Sequence, residues 1–300
     1  MKSGFVTIMG KPNVGKSTLL NRMIGEKIAA ISQKPQTTRN KIAGIYNSED
    51  SQIVFLDTPG VHSPNNRLGE FMMESVKRSL DGIDILLYMV DDEFVIPKEE
   101  DALVIPFFNM VSKDVKIFVI VNKTDKIPIQ KFGKIKEYFE KHERISQVIG
   151  VSALEDRGVK TLIDLIKEEL PEGIAYYSDE IYTDISERDI VCEILREKLL
   201  KYMDDEIPHG TAVSILQFSE REEKAITDIE AEIICEKDSH KGIIIGKKGR
   251  KLKGIASAAR KDIEEALGIK VNLQVWVKVK PNWRDSPGEL KRRGYDIRKL

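Results

Sequence analysis

Five short stretches of this 300-residue chain combine residue types and spacings that could do chemistry: GKPNVGKS at 10–17, DTPG at 57–60, NKTD at 122–125, VSAL at 151–154 and GKKG at 246–249. The first packs two glycines, a proline and two lysines behind the apolar run FVTIM and ahead of TLLNRMIGEKI, whose apolar residues have helical spacing. A glycine loop between a strand and a helix start turns backbone N–H groups toward an anion, and the helix N-terminus adds unpaired donors and its dipole. The match to G-x-x-x-x-G-K-S/T predicts a phosphate loop made by Gly10, Lys11, Pro12, Asn13, Val14, Gly15, Lys16, Ser17 and Thr18. Lys16 would lie against the β- and γ-phosphates and Ser17 would ligate Mg²⁺. DTPG by itself would be an ordinary turn. Behind a phosphate loop, Asp57 at a strand end can hold the same Mg²⁺, usually through water. After Thr58 and Pro59, the amide of Gly60 can approach a γ-phosphate because glycine carries no side chain.

NKTD selects the base. Guanine presents N1–H and N2–H₂ side by side, a donor pair that the carboxylate of Asp125 can accept bidentately, whereas adenine has no such pair. Asn122 would bind N7 and tie this loop to the phosphate loop, with Lys123 and Thr124 completing it. In VSAL, a backbone N–H from Ala153 would reach guanine O6, with Ser152 supporting the loop and Leu154 closing it. An ATP-using P-loop kinase would have no use for NKTD, so the expected ligands are GTP, GDP and Mg²⁺.

These loops need strands to end on. FVTIMG, KIAGIY, QIVFLD, DILLYMVD, KIFVIVN and QVIGVSA read as strands, and RLGEFMMESVKRSL, QKFGKIKEYFEKHE and VKTLIDLIKEEL as helices between them. That rhythm predicts a doubly wound α/β domain with a mostly parallel sheet and ligands at the carboxyl ends of its strands. The length and the 41% hydrophobic content suit two domains. No apolar run approaches the ~20 residues of a membrane span, and MKSGFVTIMGKP enters a fold rather than reading as a signal peptide. Cys192 and Cys235 stand alone, which argues against a disulfide framework or a zinc site and fits a reducing cytosol.

The net charge of −1 hides a segregation. Residues 237–300 hold 18 Lys and Arg against 7 Asp and Glu, leaving 30 against 42 in the remainder, so a polyanion partner is expected for the C-terminal part. After ELPEG, the polar stretch AYYSDEIYTDISERD has no periodicity and reads as a linker. IVCEILREKLLKY then reads as a helix, TAVSILQF and AITDIEAEIICE as strands, GIIIGKKGRKLKGIASAARKDIEEAL as two helices and KVNLQVWVKVK as a strand. The GKKG between two helices resembles the GXXG turn of KH modules, which clamps about four nucleotides of single-stranded RNA or DNA. Gly246 and Gly249 let the loop pass close to a phosphate backbone, and Lys247 and Lys248 neutralise it. Ile243, Ile244 and Ile245 can wall a groove against bases, and Arg250, Lys251 and Lys253 follow on a basic helix.

With GKPNVGKS, DTPG, NKTD and SAL in order, residues 1 to about 170 resemble the translation-factor-related GTPases. Together with the KH-like GKKG turn and its αββααβ setting, that resemblance implies a P-loop GTPase domain over 1–173, a linker over 174–185 and an α+β KH domain over 186–300 with a basic C-terminal tail. It makes QKPQTTRNK the mobile effector loop, with Thr38, or alternatively Thr37, completing the Mg²⁺ shell and sensing the γ-phosphate. Signalling relatives carry a glutamine after the DxxG glycine to orient the attacking water. Here Val61 stands in its place and cannot hydrogen-bond, so slow intrinsic hydrolysis is expected. In GTPases whose loop reads GxPNxGKS the asparagine helps seat K⁺, a role that falls to Asn13 unless it only shapes the loop; the catalytic set is then Lys16, Thr38, Gly60 and Asn13. One GTPase domain followed by one KH module resembles the bacterial GTPases of small-subunit assembly. The implied partners are the small ribosomal subunit and the 3′ end of its ribosomal RNA, without DNA, in the cytoplasm; peripheral contact at the inner membrane is compatible with this. A different class also fits: a generic RNA-binding regulator whose nucleotide domain senses GTP levels.

Overall fold

Apolar runs with every residue buried belong in the middle of a sheet covered on both faces, and the first domain places them there. The computed structural model describes residues 1–300 apart from 33, 35, 36, 96–106, 205, 222, 223 and 300. Strands β1 (Lys2–Gly10), β2 (Ile42–Asn47), β3 (Ser51–Asp57), β4 (Ile85–Val90), β5 (Lys116–Val121) and β6 (Ile145–Gly150) form one sheet in the order β2-β3-β1-β4-β5-β6. Only β2 runs antiparallel to its neighbour. Alternation along β4 shows why both faces are covered. Ile85, Leu87 and Met89 enter one core with α1 (Lys16–Ile24) and α4 (Val159–Glu169); Leu86, Tyr88 and Val90 enter the other with α2 (Arg67–Arg78) and α3 (Ile129–Glu140). The strand ends that carry Gly10, Asp57 and Val121 lie on adjacent or near-adjacent strands, so three motif loops emerge side by side at one edge.

The second domain has the expected α, β, β, α, α, β order. Helix α5 (Glu187–Tyr202) is capped by Ser186, whose Oγ accepts the Asp189 N–H at 3.2 Å. Strands β7 (Ala212–Arg221), β8 (Lys224–Cys235) and β9 (Lys270–Val279) pair in that order, β7 with β8 antiparallel and β8 with β9 parallel. Helices α6 (Asp238–Ile245) and α7 (Arg250–Leu267) join α5 against one face through Ile194, Leu195, Ile244, Ile255 and Ile263.

Two connecting segments pack against the first domain. The linker is not a free tether, because it runs along the open edge of β2. Ile45 donates to Tyr182 O at 2.9 Å, Thr183 Oγ1 donates to Ala43 O at 2.7 Å, and on the neighbouring β3 Gln52 Oε1 accepts the Tyr176 and Tyr177 N–H groups. The edge strand's unpaired groups supply partners that a polar, aperiodic stretch can satisfy. The basic C-terminal segment is likewise no tail. Its Trp283, Leu290 and Tyr295 fold the short helix α8 (Pro287–Arg292) back onto Leu68, Phe71 and Met72 of α2, giving an apolar contact between the domains. Among the described residues, no helix is long and apolar enough to cross a membrane.

Candidate functional site

At the end of β1 the backbone turns through left-handed Asn13 and Gly15 into α1. Lys16, buried here, donates from Nζ to Gly10 O at 3.1 Å and Lys11 O at 2.8 Å, lying across the loop that would surround a phosphate. Burial brings its ammonium down to about 8, with the charge of Asp57 working in the opposite direction. At the next residue, Ser17 Oγ donates to Asp57 Oδ2 at 2.7 Å and lies 2.8 Å from Thr38 Oγ1, which itself donates to Asp57 Oδ2 at 3.1 Å. Three oxygen-bearing side chains from α1, the effector segment and β3 thus converge. The other oxygen of Asp57, Oδ1, is buried with no hydrogen-bond partner, and desolvation raises the pKa of the carboxyl against the pull of Lys16 and the two hydroxyls. Hard oxygen donors with an unsatisfied carboxylate oxygen fit Mg²⁺. No group of three or more His, Cys, Asp or Glu that could hold another metal occurs among the described residues.

The two threonines part in space. Thr37 Oγ1 donates to Lys34 O at 2.7 Å, away from the Asp57 cluster, while Thr38 joins it and is buried. Of the effector loop, Gln33, Pro35 and Gln36 lie outside the described residues. Gly60 packs on the phosphate loop so closely that a Cβ there would stand 2.6 Å from Pro12 N and 2.8 Å from Pro12 Cα. The next amide, Val61 N–H, donates to Gly10 O at 3.0 Å, and the Val61 side chain is buried in the core beneath α2. Thr58 Oγ1 donates to Ile8 O at 2.8 Å and ties this turn to β1.

The base-reading loops interlock with the phosphate loop. Asn122 donates from Nδ2 to Val14 O at 2.8 Å and accepts the Ala153 N–H at 3.0 Å, so the Ala153 amide is engaged within the protein. Asp125 Oδ1 accepts Ser152 Oγ at 2.6 Å, and that bond leads in holding the carboxyl below the usual carboxylate range. Lys123, in the left-handed region, pairs with Asp91 at 2.5 Å and Asp92 at 3.5 Å. Although its partial burial opposes the charge, the two carboxylates raise its pKa. Leu154 is 71% exposed, and Arg22 of α1 holds the loop under it through Ala153 O at 3.3 Å and Leu154 O at 3.2 Å. The motif patterns say nothing of Arg22, whose only signal is its position one helix turn past the phosphate loop.

In the second domain Gly246, at φ 70°, and Gly249, at φ 74°, bracket a single turn. A Cβ on Gly246 would approach Lys251 Cβ to 2.6 Å, so only glycine lets the turn fold back on α7. Lys247, Lys248, Arg250 and Lys253 are exposed around it. Ile243 is exposed, but Ile244 is not: it is fully buried among Leu195, Ile255 and Ile263, so it supports the turn from below and cannot wall a groove. Three consecutive isoleucines on a helix cannot all share one face, because successive side chains are about 100° apart.

The two domains are also joined by charge. Lys27, after α1, pairs with Glu197 at 3.1 Å and Asp262 at 2.9 Å, and Lys198 contacts both carboxylates. Arg39, next to Thr38, is 1% exposed and donates into the second domain, a role that no local pattern announces.

A family model described as 50S ribosome-binding GTPase matches residues 5–123, and one described as KH domain matches residues 206–284. GTPase Era of Alkaliphilus oremlandii (strain OhILAs) is 50% identical over 295 residues, spanning 98% of this chain and 99% of the relative. A crystal structure of an Aquifex aeolicus Era variant bound to GDP·AlF4⁻ aligns with a TM-score of 0.91 at 38% identity, covering 98% of this chain and 99% of that one. A second, of Era in complex with MgGDPNP and nucleotides 1506–1542 of 16S ribosomal RNA, aligns with a TM-score of 0.92 at 38% identity and the same coverage. Because the likeness runs through both domains and across their junction, at half identity to a relative of the same length, the chain belongs to the Era family of GTPases.

Proposed function

We propose that this GTPase uses its second domain to grip single-stranded RNA at the 3′ end of small-subunit ribosomal RNA, and that its nucleotide state controls the grip during assembly of the small ribosomal subunit. The observation that carries this reading is an exposed, glycine-bracketed Lys247-Lys248 turn in a domain bonded directly to the segment that bears Thr38. The Era relative crystallised with MgGDPNP and 16S ribosomal RNA nucleotides supports the same classes of ligand. The division is a nucleotide domain over 1–173, a linker over 174–185 and an RNA-binding domain over 186–300. The protein works in the cytoplasm, with any contact at the inner membrane peripheral.

Within the site, Lys16 neutralises the β- and γ-phosphate oxygens, and Ser17, Thr38 and Asp57 would hold Mg²⁺. When bound, Mg²⁺ offsets the charge that collects on those oxygens. Gly60 donates its N–H to the γ-phosphate. Asp125 accepts the guanine donor pair, Asn122 reads N7 while bracing Val14, and a backbone amide of the 152–154 loop serves O6. Val61 offers the attacking water nothing; Asn13, exposed at the tip of the loop, would help hold K⁺, which would supply the compensating positive charge. Lys247, Lys248, Arg250 and Lys253 contact RNA phosphates, and Ile243 contacts a base.

The test is RNA affinity of the full chain, read by anisotropy, with GDP and with a non-hydrolysable GTP analogue. Coupling of ordinary strength gives roughly a five- to 150-fold difference between the two states. Replacing Lys247 and Lys248 by Asp should nearly abolish binding in both. Equal affinities in the two nucleotide states would remove the switch, and full affinity in the double variant would move the RNA elsewhere.

A further inference from the structure

Arg39 follows Thr38 directly, yet its side chain leaves the nucleotide domain. Nη1 donates to Thr211 O at 2.7 Å and Nη2 to His209 O at 3.0 Å; the carbonyl between them, Gly210 O, accepts Trp283 Nε1 at 2.9 Å. Three successive carbonyls of one turn ahead of β7 are therefore taken by two side chains, Arg39 from the first domain and Trp283 from the second. Trp283 is fully buried, the Arg39 guanidinium lies 5.9 Å from its ring centroid, and Leu68, Phe71 and Met72 of α2 belong to the same apolar cluster. One indole thus meets both segments that flank the γ-phosphate end of the nucleotide site: the one bearing Thr38 and the helix that follows Gly60.

A buried guanidinium held by two carbonyls in a planar fork has little freedom to shift. Consecutive Cα atoms are about 3.8 Å apart, so fixing Arg39 also limits where Thr38 can stand. Thr38 Oγ1 in turn sits 3.1 Å from Asp57 Oδ2 and 2.8 Å from Ser17 Oγ, within the set of oxygens suited to Mg²⁺. We infer that Arg39 is a positioning residue for GTP hydrolysis: clamped by the His209–Thr211 turn and Trp283 of the RNA-binding domain, it holds Thr38 at the Mg²⁺ site, so that docking of the second domain completes the active site of the first. The inference rests on the assignment of Thr38 to Mg²⁺ and the γ-phosphate. Neither Arg39 nor Trp283 touches the phosphate-loop carbonyls or the NKTD loop, so GDP binding does not depend on the clamp.

The experiment uses the full chain with Arg39→Ala, Arg39→Lys, Trp283→Phe and Thr38→Ala. Arg39→Ala should leave GDP affinity within about twofold of wild type while kcat and affinity for a non-hydrolysable GTP analogue each fall roughly ten- to 100-fold, the scale of losing charge-assisted hydrogen bonds. The Mg²⁺ concentration for half-maximal hydrolysis should rise with them. Arg39→Lys keeps the charge but cannot span two carbonyls, so it should fall between wild type and Arg39→Ala. Trp283→Phe, in the other domain, should shift discrimination between GDP and GTP in the same direction. If Arg39→Ala does not fold, Arg39→Lys and Trp283→Phe carry the test. Wild-type kcat and wild-type analogue affinity in the folded variants, or equal losses for GDP and the analogue, would overturn the inference. Thr38→Ala separates the two levels: normal hydrolysis there would refute the Mg²⁺ assignment itself, whereas impaired Thr38→Ala beside unimpaired Arg39 variants would refute only the clamp.

Discussion

Gly60→Ala tests the approach of the DTPG turn to the phosphate loop. A Cβ at residue 60 would stand 2.6 Å from Pro12 N, 2.7 Å from Pro12 Cγ and 2.8 Å from Pro12 Cα. Ordinary contact begins near 3.4 Å, so about 0.8 Å must open between two backbones, neither of which is a flexible side-chain end. The same movement would stretch the 3.0 Å bond from Val61 N–H to Gly10 O to about 3.8 Å, past hydrogen-bonding range. It would also withdraw the Gly60 amide from the γ-phosphate, a bond to a charged acceptor worth about 1.5–3 kcal/mol. Affinity for a GTP analogue should then fall roughly ten- to 150-fold relative to GDP, at about 1.36 kcal/mol per decade. Fluorescent-nucleotide titration of both ligands gives the ratio, and single-turnover hydrolysis should slow in parallel. An unchanged ratio, or a loss shared equally by GDP, would show that residue 60 has no special relation to the third phosphate.

The remaining predictions concern the base, the proton and the monovalent ion. Asp125→Asn places a donor where guanine also donates, so preference should move from GDP toward XDP, and retained GDP preference would unseat the assignment. Lys16 titrates near 8 in the free protein, and a bound phosphate must raise that value; affinity should therefore be fully present below about pH 8 and decline above it, with proton uptake seen by calorimetry in buffers of different ionisation enthalpy. Pairing that proceeds without proton uptake at pH 8 would contradict the buried-lysine account. Hydrolysis should run faster in K⁺ than in Na⁺ at equal ionic strength, and Asn13→Ala should erase the difference; equal wild-type rates in both salts would remove K⁺ from the mechanism.

Much of the site was legible because its chemistry is local. A glycine loop between strand and helix, a carboxylate at a strand end and an Asn-x-x-Asp turn are each read within a few residues, and the structure brings Ser17 to Asp57, Asn122 to Val14 and Asp125 to Ser152. The βαβ rhythm placed every described strand and the αββααβ order of the second domain for the same reason, since hydrophobic periodicity is read within one element. What misled was position relative to something distant. Ile244 looked equivalent to its neighbours until helix α6 turned it into the core, and the basic charge of residues 280–299 concealed the three apolar side chains that anchor them.

From sequence alone the ligand classes and the elements of each domain were determined, because loop chemistry and side-chain period depend on neighbours a few residues apart. Which threonine faces Asp57, where the linker runs and how the domains meet depended on packing. Thr37 and Thr38 differ only in direction; the linker was ordered by the unpaired edge of β2; and Arg39 acquired its partners 170 residues or more away, at His209 and Thr211. Contacts between residues so far apart leave no period or motif in the chain. They exist only in the folded chain, where Trp283 shares an apolar cluster with Leu68, Phe71 and Met72 of α2 and the two domains meet.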